Sequence, residues 1–272
     1  MKKRFIILID FSEYSSNLIR YASDWGNQAN AELLLVHQTI VLAPALTDSE
    51  GRLQITQHTY DEALHKLKSL AKELIPPTVK VSFSVSESLL QVTLTKLLEE
   101  PFDNLIFVGI KGTGLLKKIF LGSVAIQVID STKNIIIAMP KEIATFSHNR
   151  IFVAVSGKYP LNLLALNNFF NFIDSQNTSI TFFSLTKPNE KTKDIEKYLA
   201  DLTLFFADRF DTTFTIYEGN NPFADIKKVI NNKIDEILIV QKGSRLLTDQ
   251  LFRKFLINEL VYEGQTPLII LP

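Results

Sequence analysis

Short apolar runs alternate along this chain with stretches in which apolar residues recur every three to four positions. The runs lie at residues 4–10, 32–37, 103–108 and 135–140 in the first half, and at 150–156, 179–184, 235–240 and 267–272 in the second. Each is strand-sized, rich in Ile, Leu, Val and Phe and flanked by polar residues, the pattern of a strand buried on both faces. Between them Leu18, Tyr21, Ala22 and Trp25 share one helical face after Ser12, which is expected to cap the helix. Ala63, Leu64, Leu67, Leu70 and Ala71 do the same ahead of the Pro76-Pro77 stop, and Leu90, Leu94, Leu97 and Leu98 mark a third helix ending near Pro101. Helices alternating with buried strands predict right-handed βαβ crossovers and a parallel sheet covered on both faces.

The same order of features occurs twice. The opening strands, 4–10 and 150–156, are 146 residues apart, whereas 103–108 falls on 235–240 and 135–140 on 267–272 at a gapless shift of 132. The first half therefore carries about 14 extra residues, placed most simply in a loop at 39–55. The expected architecture is two doubly wound, five-stranded α/β domains in tandem, 1–142 and 149–272, joined by a polar stretch.

Composition narrows the function classes. A length of 272 residues suits two domains. Lysine plus arginine and aspartate plus glutamate both number 29, so no basic field exists to capture a nucleic-acid backbone. The absence of cysteine removes disulfide scaffolds, thiolate zinc sites and thiol nucleophiles. No apolar run approaches the ~18 residues of a spanning helix, so no membrane partner is expected. Only five apolar residues follow Met1-Lys2-Lys3-Arg4 before Asp10, too few for a secretory leader, which makes the cytoplasm the expected compartment.

In an open parallel sheet a ligand binds beyond the carboxyl ends of the strands, where strand order reverses. After the fourth strand the first half reads Val108-Gly109-Ile110-Lys111-Gly112-Thr113-Gly114, continuing to Leu121-Gly122-Ser123-Val124-Ala125. Glycines here let the backbone approach a phosphate, and Gly122-Ser123 opening a helix would present free N–H groups, a hydroxyl and the positive dipole end to an anion. The spacing is neither a P-loop nor a dinucleotide fingerprint. On spacing alone, a tight turn followed by an ordinary helix start explains the glycines equally well.

These residues resemble the G-x2-G-x9-G-[ST] motif of nucleotide-binding universal stress proteins, matched at Gly109, Gly112, Gly122 and Ser123. The opening Ile7-Leu8-Ile9-Asp10-Phe11-Ser12-Glu13 is similar to that family's first strand, and Leu34-Leu35-Val36-His37-Gln38 to its second. The resemblance implies a tandem pair of Rossmann-like domains of the adenine nucleotide alpha hydrolase-like type, in a regulatory stress-response module. It further implies that Asp10 and the backbone at Gln38 hold adenosine, that Gly109 and Gly112 line the nucleotide, and that Gly122, Ser123 and the Val124 N–H bind phosphates. ATP, with AMP or cyclic AMP left open, would be the ligand, and Mg²⁺ would come through its phosphates. The chain departs from the family at Leu8 and Gln38, where proline and valine are common. In the family the last strands pair across a dimer interface, so here 135–139 and 268–271 are expected to build an intramolecular pseudo-dimer; a further homodimer of whole chains stays open.

At the matching positions of the second half stand Ser156 for Asp10, Gln241 for Gly109, Ser244 for Gly112, Lys254 for Gly122 and Phe255 for Ser123. Every diagnostic residue is replaced, so that half is expected to be a degenerate copy without this site. His37, His58, His65 and His148 share no ligand spacing, and no protein metal site is expected. Lys111, Lys117 and Lys118 lie beside the glycines, either near phosphate or simply solvated. Glu13 is the one base the sequence offers near the site, and no hydrolase triad accompanies Ser123, so no catalytic residue is assigned. Slow ATP hydrolysis or nucleotidyl transfer, and a nucleotide-free interaction scaffold, remain the alternatives to an ATP-binding module.

Overall fold

The computed structural model describes residues 1–41, 48–109, 123–157, 159–218, 236–243 and 266–272. In the first half β1 (Lys2–Leu8), β2 (Glu32–Gln38), β3 (Val81–Ser86), β4 (Phe102–Gly109) and β5 (Ile136–Met139) alternate with α1 (Ser15–Ala29), α2 (Ser49–Leu74), α3 (Leu90–Leu98) and α4 (Ser123–Ser131). In the second, β6 (Arg150–Ala154), α5 (Leu163–Phe170), β7 (Ser179–Thr186), α6 (Lys193–Phe206), β8 (Asp211–Glu218), β9 (Glu236–Gln241) and β10 (Leu268–Leu271) follow the same scheme. The strands form one ten-stranded sheet in the order β3-β2-β1-β4-β5-β10-β9-β6-β7-β8. Each half thus runs 3-2-1-4-5, a doubly wound α/β order with its reversal between the first and fourth strands.

Every pairing inside a half is parallel, and the halves meet through the antiparallel pair β5–β10, with Leu268 opposite Ala138, Ile269 opposite Ile137 and Ile270 opposite Ile136. All four residues of both strands are buried, as their unbroken apolar sequence predicts. Successive residues face opposite layers. Phe5, Ile7, Ile137, Met139, Ile269 and Leu271 join the layer under α1, α2, α5 and α6, whereas Ile6, Leu8, Ile136, Ala138, Leu268 and Ile270 join the layer under α3 and α4.

Trp25, the sole tryptophan, ties the halves together on the first of these layers. It is fully buried on α1, donates its indole N–H to the Phe172 carbonyl at 2.9 Å, and stacks on Phe146 with ring centroids 4.5 Å apart. Phe169 meets its edge at 5.9 Å. The stretch 141–149, polar in sequence, is no free tether. Ile143, Phe146 and His148 are buried, the Asn17 amide donates to the Lys141 carbonyl at 2.9 Å, and the Lys141 ammonium pairs with Glu13 at 3.1 Å.

Two sequence expectations change. Ser12 does not cap α1: the helix starts at Ser15 with Tyr14 in the cap position and no side-chain cap. The Asp10 carboxylate instead accepts from the Ser12 N–H at 2.9 Å and the Ser15 hydroxyl at 3.2 Å, holding the turn itself. The extra residues of the first half lie less in a loop than in a helix, since α2 has 26 residues where α6 has 14. Its start is capped by Asp48, which accepts from the Gly51 N–H at 2.8 Å. Strands β3 and β8 occupy the two sheet edges, where half-exposed residues alternate with polar ones and leave no apolar run to read.

Replacing Trp25 by Phe removes the hydrogen bond across the halves and part of the stack, and is expected to cost about 2–4 kcal/mol in urea unfolding followed by circular dichroism. A cost under about 0.5 kcal/mol would show that the indole is not the tie. His148 gives a second expectation. Its ring nitrogen meets the Thr178 hydroxyl at 2.6 Å, and burial lowers its pKa, while Asp174 opposes that shift. A histidine whose folded pKa is depressed must stay neutral to keep its contribution, which is present above about pH 6.5 and lost as pH falls through the lower native value. The His148→Gln variant should therefore show a smaller loss of stability between pH 7 and pH 5 than the parent, read by thermal unfolding at each pH.

Candidate functional site

The register of the first half brings the sequence-predicted residues to one edge of the sheet. Leu8 lies opposite Val36 on β2 and Val108 on β4, and the Ile9 N–H donates to the Val36 carbonyl at 2.9 Å. Asp10, Gln38 and Gly109 therefore all fall within about two residues of the same level, Gln38 and Gly109 ending β2 and β4 and Asp10 just past β1. The gap between β1 and β4 is the reversal point of strand order, the place where a doubly wound sheet offers a ligand site.

Its β1 lip is built by a short, tightly held turn. The Ile9 carbonyl bonds His37 Nδ1 at 2.7 Å, and Phe11, two residues on, adopts a left-handed φ of 57° that a bulky side chain seldom takes. Phe11 is held there by the His37 ring, with centroids 4.3 Å apart, and by the Lys66 ammonium 5.9 Å from its ring centroid. The turn keeps Asp10 exposed at the crevice, one carboxylate oxygen directed back to Ser12 and Ser15. The sequence carried no sign of the His37–Phe11 support, since ring contact depends on the β1–β2 register rather than on spacing.

The opposite lip begins at Gly109, the last residue of β4. Its φ is not in the left-handed region, and a Cβ built there would meet only the Leu18 side chain, at 3.9 Å. Glycine is thus not needed for the backbone's shape at this position, and among the described residues an added methyl would meet no clash. Ser123 and Val124 form the first turn of α4, so their backbone N–H groups are among those a helix leaves without helical partners. Gly112, Gly122, Lys111, Lys117 and Lys118 lie outside the described residues, as do Ser244, Lys254 and Phe255 of the second half.

The matching crevice of the second half, between β6 and β9, is stitched shut. Gln241, at the position of Gly109, accepts from the Asn162 N–H at 2.5 Å and donates to the Pro160 carbonyl at 3.0 Å. Asn162 caps α5 through the Ala165 N–H at 3.0 Å and reaches the Pro272 carbonyl at 3.3 Å, while the Tyr198 hydroxyl accepts from the Leu161 N–H at 3.0 Å. A side chain stands where the first half has glycine, and the N–H groups of Leu161 and Asn162 beside it are bonded within the protein.

Electrostatics around the first crevice are mild. Glu13 pairs with Lys141, whose hydrogen bond and charge hold its carboxyl below the ordinary range; that makes it a weaker base than an unpaired glutamate. Among the described residues no group of three or more His, Asp or Glu is placed to hold a metal ion, and no helix is long and apolar enough to cross a membrane.

Comparison with known proteins places this geometry in context. A family model described as the universal stress protein family matches residues 1–136. Among solved structures, a universal stress protein from Archaeoglobus fulgidus DSM 4304 superposes with a TM-score of 0.67 at 17% identity, covering 98% of this chain and 97% of that one. A functionally unknown protein from Pseudomonas aeruginosa PAO1 gives 0.60 at 12% identity over 99% and 92% of the two chains. The cytoplasmic domain of a prokaryotic cation chloride cotransporter gives 0.53 at 10% identity over 99% and 95%. At these identities the likeness is one of fold. Comparison with curated proteins gives no match.

The lack of a clash at Gly109 yields an expectation that separates folding from binding. Gly109→Ala should leave thermal stability unchanged or raise it by up to about 1 kcal/mol, because the added methyl meets no clash and the unfolded chain loses freedom. A clear fall in the melting temperature would show that the glycine serves the fold instead.

Proposed function

The chain belongs to the universal stress protein family, membership that supports a stress-response role, and from that premise we propose that it is a cytoplasmic ATP-binding regulatory module with one nucleotide site. The site is the β1–β4 crevice, with Asp10 and the Gln38 backbone toward adenosine, Gly109 and Gly112 along the nucleotide, and Gly122, Ser123 and the Val124 N–H toward the phosphates. Mg²⁺ enters with the phosphates, since the described residues supply no ligand cluster of their own. The second half is a degenerate repeat that serves as the architectural partner within one chain.

The observation that carries this reading is the contrast between the two crevices. The first keeps an exposed carboxylate and a glycine where an added methyl would meet no clash, whereas Gln241, Asn162 and Tyr198 are hydrogen-bonded internally in the second. A side chain at the Gln241 position occupies with internal hydrogen bonds what glycine at 109 leaves to the backbone alone. A regulatory module fits the pairing of Glu13, the base named from the sequence, with Lys141.

Protein purified without added nucleotide is expected to release an adenine nucleotide on denaturation, identified by mass, and to titrate with a single equivalent of ATP in the presence of Mg²⁺. Asp10→Asn, which keeps the oxygen that bonds Ser12 and Ser15, should weaken ATP about tenfold with thermal unfolding unchanged. Gly122→Lys should abolish binding with the fold intact. No released nucleotide and no titratable ATP would reject the site, and two equivalents per chain would reject the closed second crevice.

A further inference from the structure

We infer that Lys242, a residue of the second half, is a positioning residue for the phosphate end of the first-half site. The inference rests on the nucleotide reading above and adds to it a part for the half that has lost the motif. Lys242 follows β9 directly, and its ammonium donates to the carbonyls of Asp130 at 2.8 Å and Thr132 at 3.3 Å, at the carboxyl end of α4. That helix, whose amino end carries Ser123 and Val124, has no basic residue in its own last turn. Its final carbonyls carry the negative end of the helix dipole. Lys242 brings a cation onto them from the other half of the chain.

The antiparallel junction is what brings Lys242 there. Because β10 runs opposite to β5, the carboxyl ends of the second half's strands lie beside the amino ends of the first half's, which is where α4 terminates. Ala125, Val128 and Ile129 of α4 belong to the same buried layer as Leu238, Val240, Leu268 and Ile270. The Lys242 backbone is fixed by its N–H donating to the Leu271 carbonyl at 2.8 Å, ahead of Gly243 in a left-handed turn at φ 81°. Thr132 is held in turn by its N–H and hydroxyl, both donating to the Val128 carbonyl, at 3.1 and 2.9 Å. The arrangement is one-sided. The residue one repeat earlier is Ile110, whose side chain has no donor to return the contact.

Nine residues make α4 about 13 Å long, so Lys242 is too far from the amino end to touch a phosphate. It acts through the helix, fixing the tilt at which the first-turn N–H groups face the crevice and offsetting the negative charge at the far end. Its effect should therefore grow with the charge of the ligand and vanish for a neutral nucleoside.

The test is to titrate ATP with Mg²⁺, and adenosine, into the wild type, Lys242→Met and Lys242→Arg. Met keeps the aliphatic stem without the cation, and is expected to weaken ATP about three- to fivefold and leave adenosine unchanged. Arg, which restores a donor and a charge, should recover the ATP affinity. Equal losses for ATP and adenosine would reduce Lys242 to a structural residue and overturn the inference, as would unchanged ATP affinity in Lys242→Met. A wild type that binds no ATP overturns the nucleotide reading and the inference with it, whereas ATP binding that ignores Lys242 overturns the inference alone.

Discussion

The antiparallel pairing of β5 with β10 is the constraint from which the rest of the molecule follows. Each half ends on a short strand that is apolar on both faces, and such a strand left at a sheet edge would expose unpaired backbone groups and two greasy surfaces. Pairing the two end strands removes both problems at once and makes one sheet of ten strands. The antiparallel sense then directs the carboxyl ends of the halves to opposite edges of the sheet. On one face Trp25 packs with Phe146 and Phe169, and on the other Ala125, Val128 and Ile129 of α4 share a buried layer with strand residues of both halves.

Within that symmetric frame the two crevices have taken different courses, and the difference lies in how polar groups are satisfied. In the first half Asp10 organises the turn into α1 while remaining exposed, and Phe11 is kept in an uncommon backbone conformation by His37 and Lys66. In the second, the carboxamide of Gln241 both accepts and donates across the same gap. A primary amide has the donor and the acceptor needed to close two backbone groups, which glycine lacks. The loss of a motif is thus accompanied by a gain of internal structure, and the second half braces the first at α4.

The stretch between the halves shows the same economy. Residues 141–149 are polar enough to read as a linker, yet Phe146 and His148 are buried and Lys141 is bonded to the start of α1 beside Asp10. The connection between the halves is therefore part of the packed structure, adjacent to the crevice rather than remote from it.

What the sequence by itself determined is whatever local pattern encodes. The central strands, the helices packed on them and the doubly wound α/β class are legible because burial on both faces demands continuous apolar runs and burial on one face demands a helical period. The glycine motif and its loss in the second half are legible too, as residue identities at fixed spacing. The fifth strand of each half was expected but not placed: β3 and β8 lie at the sheet edges and carry short apolar–polar alternation instead of a continuous apolar run. Only the tertiary structure decided the partners separated by long stretches of chain: Trp25 with the Phe172 carbonyl, His37 with Ile9 and Phe11, Gln241 with Pro160 and Asn162, and Lys242 with the end of α4. A hydrogen bond across the fold depends on register and strand direction, which are set by the packing of all ten strands together and by no single segment.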